Sequence, residues 1–149
     1  MKTKILIIKA VYYREIATNL EAAAEVTLDT KSISKVKYKI IEVPGIFEIP
    51  VIIAKNIKKY HGFIALGCVI KGETPHFDYI SKTTINAIMN LSVENKKPIG
   101  NGIITCLNRV QATERSDGRE KKYLSRKNKG REAARAVLSV LGILKNESK

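Results

Sequence analysis

Four short apolar runs, each followed by a stretch with helical spacing, constrain this chain more than any other feature. Residues 5–8 (Ile-Leu-Ile-Ile) and 63–70 (Phe-Ile-Ala-Leu-Gly-Cys-Val-Ile) are apolar almost throughout, the pattern of strands covered on both faces. Residues 36–43 alternate before turning apolar and are stopped by Pro44-Gly45, and residues 99–106 form a fourth run. After the first run, Ile16, Leu20, Ala23, Ala24 and Leu28 recur at spacings of three and four, which predicts a helix over 15–28 with Glu21 and Glu25 outside its stripe. Further helices are predicted over 47–60, with Pro50 in the first turn, and over 75–94, carrying Phe77, Ile80, Ile85, Ile88, Met89 and Leu91. A short helix through Arg115 starts from Asn108 as N-cap, and a last one covers 129–144 with Ala133, Ala134, Val137, Leu138 and Leu141. Strand and helix alternate four times. The expectation is an α/β fold, a three-layer α/β/α sandwich on a four-stranded parallel sheet.

At 149 residues and 44% hydrophobic, the chain fits one domain with one core, with no internal repeat or low-complexity linker. A domain of this length needs no disulfide or metal staple. Cys68 and Cys106 lack a C-x-x-C spacing and a matching His pair, which excludes a sequence-visible zinc site and a disulfide framework. Two free thiols suit a reducing cytosol. No apolar run approaches the roughly 20 residues that span a bilayer, and the first residues enter a strand rather than a signal-peptide core. The expectation is a soluble, cytoplasmic protein, neither exported nor anchored. The formal charge of +13, from 27 Lys+Arg against 14 Asp+Glu, favours anionic partners, among them a small phosphorylated substrate or a nucleic acid.

In a parallel α/β sheet, ligands bind beyond the carboxyl ends of the strands, so the four loops there are the places to search. The first holds Tyr12 and Tyr13, where a ring either stacks on a heteroaromatic ligand or packs over the sheet edge. The second is Val43-Pro-Gly-Ile-Phe-Glu-Ile-Pro50. There Gly45 permits positive φ and close approach, and Glu48 is either an acceptor for ligand hydroxyls or a first-turn Glu favoured by the helix dipole. In the third, Thr74-Pro75 has the form of N-cap then N1, so Gly72, Glu73 and Thr74 offer backbone N–H groups to an anion. His76 follows in the first turn, with a side chain suited to proton transfer near neutral pH. The fourth sets Arg115 where its guanidinium is either a phosphate clamp or a solvated surface group. His61, in a plain Lys-rich turn, has no such company.

Taken together, these segments resemble the 6,7-dimethyl-8-ribityllumazine synthase family. The resemblance rests on residues 43–50, on Gly67-Cys-Val-Ile-Lys-Gly-Glu-Thr-Pro-His-Phe-Asp-Tyr79, on Pro98-Ile-Gly-Asn-Gly-Ile-Ile-Thr105, and on Gln111-Ala-Thr-Glu-Arg115 followed by Asn128-Lys-Gly130. It implies a flavodoxin-like fold and the condensation of 5-amino-6-(D-ribitylamino)uracil with 3,4-dihydroxy-2-butanone 4-phosphate, without metal or organic cofactor. By the same resemblance Tyr12 stacks on the pyrimidine, Ile46, Phe47 and Glu48 hold the ribityl chain, and Cys68, Val69 and Ile70 line the pyrimidine pocket. Glu73 and Thr74 meet the phosphate through main-chain N–H groups, Arg115 pairs with its charge, and His76 moves protons. Asn101 belongs to a pocket position supplied by the neighbouring subunit.

The resemblance implies a homopentamer with sites at subunit interfaces, and allows riboflavin synthase as a further partner. It implies no binding to nucleic acid or membrane. Three features depart from the family pattern: Tyr12 and Tyr13 are adjacent, Lys71 stands where Arg is common, and the stretch from Arg115 to Lys129 is longer by about half a dozen residues, leaving the role of Lys129 open. Bulk and like charge over residues 116–128, with a short N-terminus, predict a free pentamer rather than a shell of sixty subunits. From another functional class, a basic α/β protein binding nucleic acid through residues 119–131 is the alternative.

Overall fold

The computed structural model describes residues 2–30, 36–117 and 127–144. Its four strands are β1 (Thr3–Ala10), β2 (Val36–Val43), β3 (Gly62–Ile70) and β4 (Ile99–Cys106), all parallel in the order β2-β1-β3-β4. The helices are α1 (Arg14–Leu28), α2 (Ile49–Asn56), α3 (His76–Asn95), α4 (Arg109–Arg115) and α5 (Lys129–Val140). This is the expected α/β sandwich. The chain starts in the sheet's interior, steps out to β2, and then crosses to β3 on the other side of β1. The strand order therefore reverses between β1 and β3, and at such a switch point a crevice opens beyond the strand ends.

Alternate residues of each strand build two separate cores. Ile5, Ile7, Ile64, Leu66 and Ile104 pack against Ile16, Leu20 and Ala24 of α1 and Ala133, Val137 and Leu138 of α5. Leu6, Ile8, Phe63, Ala65 and Ile103 face Ile49 and Ile53 of α2 and Ile88 of α3. Each fully buried aliphatic side chain contributes about 1.5–3 kcal/mol. The first core is closed by backbone contact. A Cβ on Gly130 would stand 2.1 Å from the Leu20 carbonyl oxygen, and one on Gly100 would stand 2.4 Å from that of Ala133, so these motif glycines set the helix–helix and helix–strand approach. Asn128, wholly buried, caps α5 by accepting from the Gly130 and Arg131 amides at 2.8 and 3.1 Å.

The structure corrects several expected boundaries. The helix expected over 47–60 is a 3₁₀ turn, Ile46–Glu48, followed by α2, with Pro50 in the first turn as expected. The last helix stops before 144. Gly142 at φ +76 lets its own amide reach the Ser139 carbonyl, and the Ile143 amide reaches that of Leu138, a glycine stop that apolar periodicity does not register. On α3, Ser81, Thr84 and Ile88 are the buried residues, whereas Met89, expected on the apolar stripe, is 60% exposed with Tyr79 and Val93. The first strand also runs on through Lys9, which is buried.

Candidate active site

At the carboxyl ends of β1, β2 and β3 the loops enclose a cavity of about 490 Å³. Tyr12 and Tyr13 form one wall, Gly45, Ile46, Phe47 and Glu48 a second, and Cys68, Val69, Ile70 and Gly72 the floor. Thr74, His76, Phe77 and Ile80 close it from the start of α3. Nine of the twelve site residues expected from sequence thus meet in one place: Tyr12, Ile46, Phe47, Glu48, Cys68, Val69, Ile70, Thr74 and His76. Phe77 and Ile80 carried no functional signal in the sequence. Ile80 stands four residues after His76 and three after Phe77, spacings that put each pair on one side of a helix and could have linked both to its opening.

Local structure explains the walls. The two tyrosine rings meet edge to face, with centroids 5.0 Å apart. Tyr13 is half-buried, packs on the core and has the Arg109 guanidinium 5.6 Å from its centroid, while Tyr12 is 77% exposed and leaves a face free. Of the two readings of the pair, packing over the sheet holds for Tyr13, while Tyr12 keeps an exposed ring. Burial, with Tyr12 and Cys68 close by, raises the Tyr13 hydroxyl above its ordinary range against the pull of Arg109. Glu48 turns back so that its Oε1 accepts from the Gly45 amide at 2.9 Å, which spans the 3₁₀ turn and leaves its other oxygen for a ligand. Gly45 itself is extended at φ −144, so the positive φ expected there is not used.

At the mouth the helix begins at His76 with Pro75, not Thr74, in the N-cap position and no side-chain cap, a correction to the expected Thr74 cap; Thr74 Oγ1 does accept from the His76 amide, at a long 3.4 Å. His76 is exposed beside the opening. On the floor, Cys68 is pushed up to about 12 by burial and by Cys106 beside it, so it lines the pocket as a neutral thiol.

Three expected residues lie off this cavity. Glu73 is exposed on the loop. Asn101 is exposed on the edge strand β4, its Oδ1 accepting from the Ile103 amide at 3.1 Å. Arg115 lines a separate polar cavity of about 330 Å³ with Gln111, Glu114, Lys127, Lys129 and Glu132, where Lys129 Nζ sits 3.2 Å from Glu132 Oε1. Lys71 is exposed. Of the basic segment, residues 118–126 lie outside the described residues. Among the described residues no helix is long and apolar enough to cross a membrane.

A parallel α/β sheet with an aromatic-walled pocket, a carboxylate and a helix-mouth histidine at its switch point defines a class of enzyme acting on small molecules. Comparison with known proteins gives the particular family. A match to 6,7-dimethyl-8-ribityllumazine synthase spans residues 2–145. Proteins of that name are 41% identical over 145 residues in Bartonella bacilliformis, covering 95% of this chain and 90% of the relative. In Agrobacterium fabrum the figure is 39% over 154 residues, with 97% and 96% covered. In Beijerinckia indica it is 39% over 141 residues, with 92% and 73% covered. The chain belongs to the 6,7-dimethyl-8-ribityllumazine synthase family.

Proposed function

We infer that this protein condenses 5-amino-6-(D-ribitylamino)uracil with 3,4-dihydroxy-2-butanone 4-phosphate to 6,7-dimethyl-8-ribityllumazine, releasing phosphate and water, the penultimate step of riboflavin biosynthesis. What supports the reading is the family match over nearly the whole chain together with the convergence of Tyr12, Phe47, Glu48, Thr74 and His76 on one cavity. The comparisons lend nothing to the nucleic-acid alternative.

The free face of Tyr12 stacks on the pyrimidine, while Cys68, Val69 and Ile70 border its edge. Ile46 and Phe47 flank the ribityl chain, and the unused oxygen of Glu48 accepts from its hydroxyls. Glu73 and Thr74 receive the phosphate through backbone N–H groups at the start of α3, and Arg115 supplies countercharge. The substrate amine attacks the ketone and water leaves to give the imine; loss of a proton and of phosphate leaves an enol that tautomerises to a carbonyl, and the second nitrogen attacks that carbonyl and expels a second water as the ring closes. Holding both substrates side by side supplies much of the acceleration, because the bimolecular encounter is already made. His76 takes and returns protons between the steps.

Assembly belongs to the same reading. Exposed Tyr79, Met89 and Val93 on α3, next to the unpaired edge of β4 that bears Asn101, support a homopentamer in which Asn101 completes a neighbour's site. We infer a free pentamer, in the cytoplasm, with riboflavin synthase as the enzyme that takes up the product. Light scattering near five subunits supports this, and a particle near sixty refutes it.

The direct test mixes the purified protein with both substrates and follows the absorbance and fluorescence of lumazine. His76→Ala is expected to lower kcat by about 10²–10⁴-fold while leaving pyrimidine affinity nearly intact. Unchanged turnover would remove His76 from the mechanism, and absence of product with the unaltered chain would remove the function.

A further inference from the structure

The end of β1 contains a group that a central strand normally avoids. Lys9 is 6% exposed, on the strand face that otherwise presents Ile5 and Ile7 to the core. A buried ammonium is costly unless carboxylates meet it, and a well-packed apolar residue is often at least as stable there. Its two partners lie on different elements. Lys9 Nζ is 2.6 Å from Glu21 Oε1 on α1 and 3.2 Å from Glu42 Oε2 on β2, and Lys9 and Glu42 are register partners across the sheet.

The same Glu42 oxygen accepts from Arg14 Nη1 at 3.4 Å. Arg14 directly follows Tyr13, and Glu42 stands three residues before Gly45. One carboxylate thus joins the last residues of β1, the first turn of α1 and the exit of β2. Beside it, the Val11 amide donates to the Val43 carbonyl at 2.9 Å. The aromatic wall and the wall bearing Phe47 and Glu48 are both hung from this junction, although none of Lys9, Arg14 or Glu42 lines the cavity.

We propose that Glu42, through Lys9 and Arg14, is a positioning residue that holds the loop after β1 and the loop after β2 at a fixed spacing across the cavity. The proposal rests on the functional reading above for the identity of the ligand. The exposed Arg14–Glu42 pair adds little by itself, whereas the buried Lys9 would keep only Glu21 if Glu42 were lost. What the junction contributes is geometry, the spacing at which one planar ring meets Tyr12 while its side chain reaches Glu48.

The test is Glu42→Gln in the full chain, read in two ways. In the protein alone, backbone amide exchange is expected to quicken at both 11–13 and 45–48. In turnover, KM for the ribitylaminouracil is expected to rise about three- to fivefold with kcat within about twofold, the scale of one exposed ion pair. Arg14→Met, which removes only one of the two contacts of Glu42, is expected to raise KM by less, and the double variant to match Glu42→Gln, since Arg14 acts only through Glu42. Unchanged exchange in both loops overturns the proposal whether or not the unaltered chain makes lumazine. A lower Tm with KM unchanged also overturns it, by making the junction purely structural. If the unaltered chain makes no lumazine, the functional reading fails and the exchange measurement alone decides.

Discussion

The two faces of the sheet are finished to different degrees. Over one, α1 and α5 bury continuous aliphatic stripes and approach so closely that Gly130 packs on the Leu20 carbonyl. Over the other, α3 spans twenty residues yet buries only Ser81, Thr84 and Ile88, and it turns Tyr79, Met89 and Val93 outward. Even the buried residues differ. The hydroxyls of Ser81 and Thr84 have no hydrogen-bond partner among the described residues, whereas Asn128 at the start of α5 is buried with its amide fully engaged. The first face has closed its packing within one chain, and the second leaves part of its apolar surface exposed.

Substitutions can break or sharpen this contrast. The largest effect is expected from Gly130→Ala, which forces α1 and α5 apart and should cost about 3 kcal/mol. Denaturant unfolding checks it, and a loss below about 1 kcal/mol would mean the first face is looser than described. Next, Met89→Glu should leave the unfolding of a monomer almost unchanged and weaken self-association by about 1–2 kcal/mol, seen as a concentration-dependent fall in sedimentation coefficient. A full loss of helical signal instead would place Met89 in the core. Thr84→Val replaces an unpartnered buried hydroxyl with a methyl and is expected to stabilise by about 1 kcal/mol; a clear destabilisation would mean that the hydroxyl has a partner in the assembly.

The smallest effect lies at the helix ends. Both α3 and α5 close with a left-handed residue, but α5 uses Gly142 and α3 uses Lys96 at φ 53. Lys96→Gly is therefore expected to raise stability by about 0.5 kcal/mol, and no gain in Tm would show that the lysine sits there without strain.

The better-packed face was also the easier one to read. Period-2 and period-3.6 patterns located all four strands and α1, and the cap Asn108 was legible too, because there burial and spacing agree. Reading was poorer where the chain departs from one local rule. Apolar spacing carried the last helix past Gly142, whose left-handed turn ends it, and joined the 3₁₀ turn at Ile46–Glu48 to α2. It also treated Met89 as core, since periodicity cannot tell which apolar side chains the rest of the chain covers. Lys9 is beyond such reading altogether, because the carboxylates that accept it come from residues 21 and 42. The loops enclosing the cavity were legible because their glycines, prolines and caps sit at strand ends. The separation of Arg115 and Asn101 from that cavity was not, as it depends on where α4 and β4 fall in the sheet.

The paired thiols have a use outside any reaction. Cys68 and Cys106 lie on adjacent strands, 7% and 3% exposed, and burial keeps Cys68 a neutral thiol at neutral pH. An alkylating reagent therefore reacts slowly with it, reaching Cys68 from the cavity and Cys106 only when the sheet opens. Cys68 borders the cavity and Cys106 does not. A bound molecule screens the first sulfur directly and the second only by stabilising the fold, so the ratio of the two labelling rates is an occupancy gauge that requires no turnover.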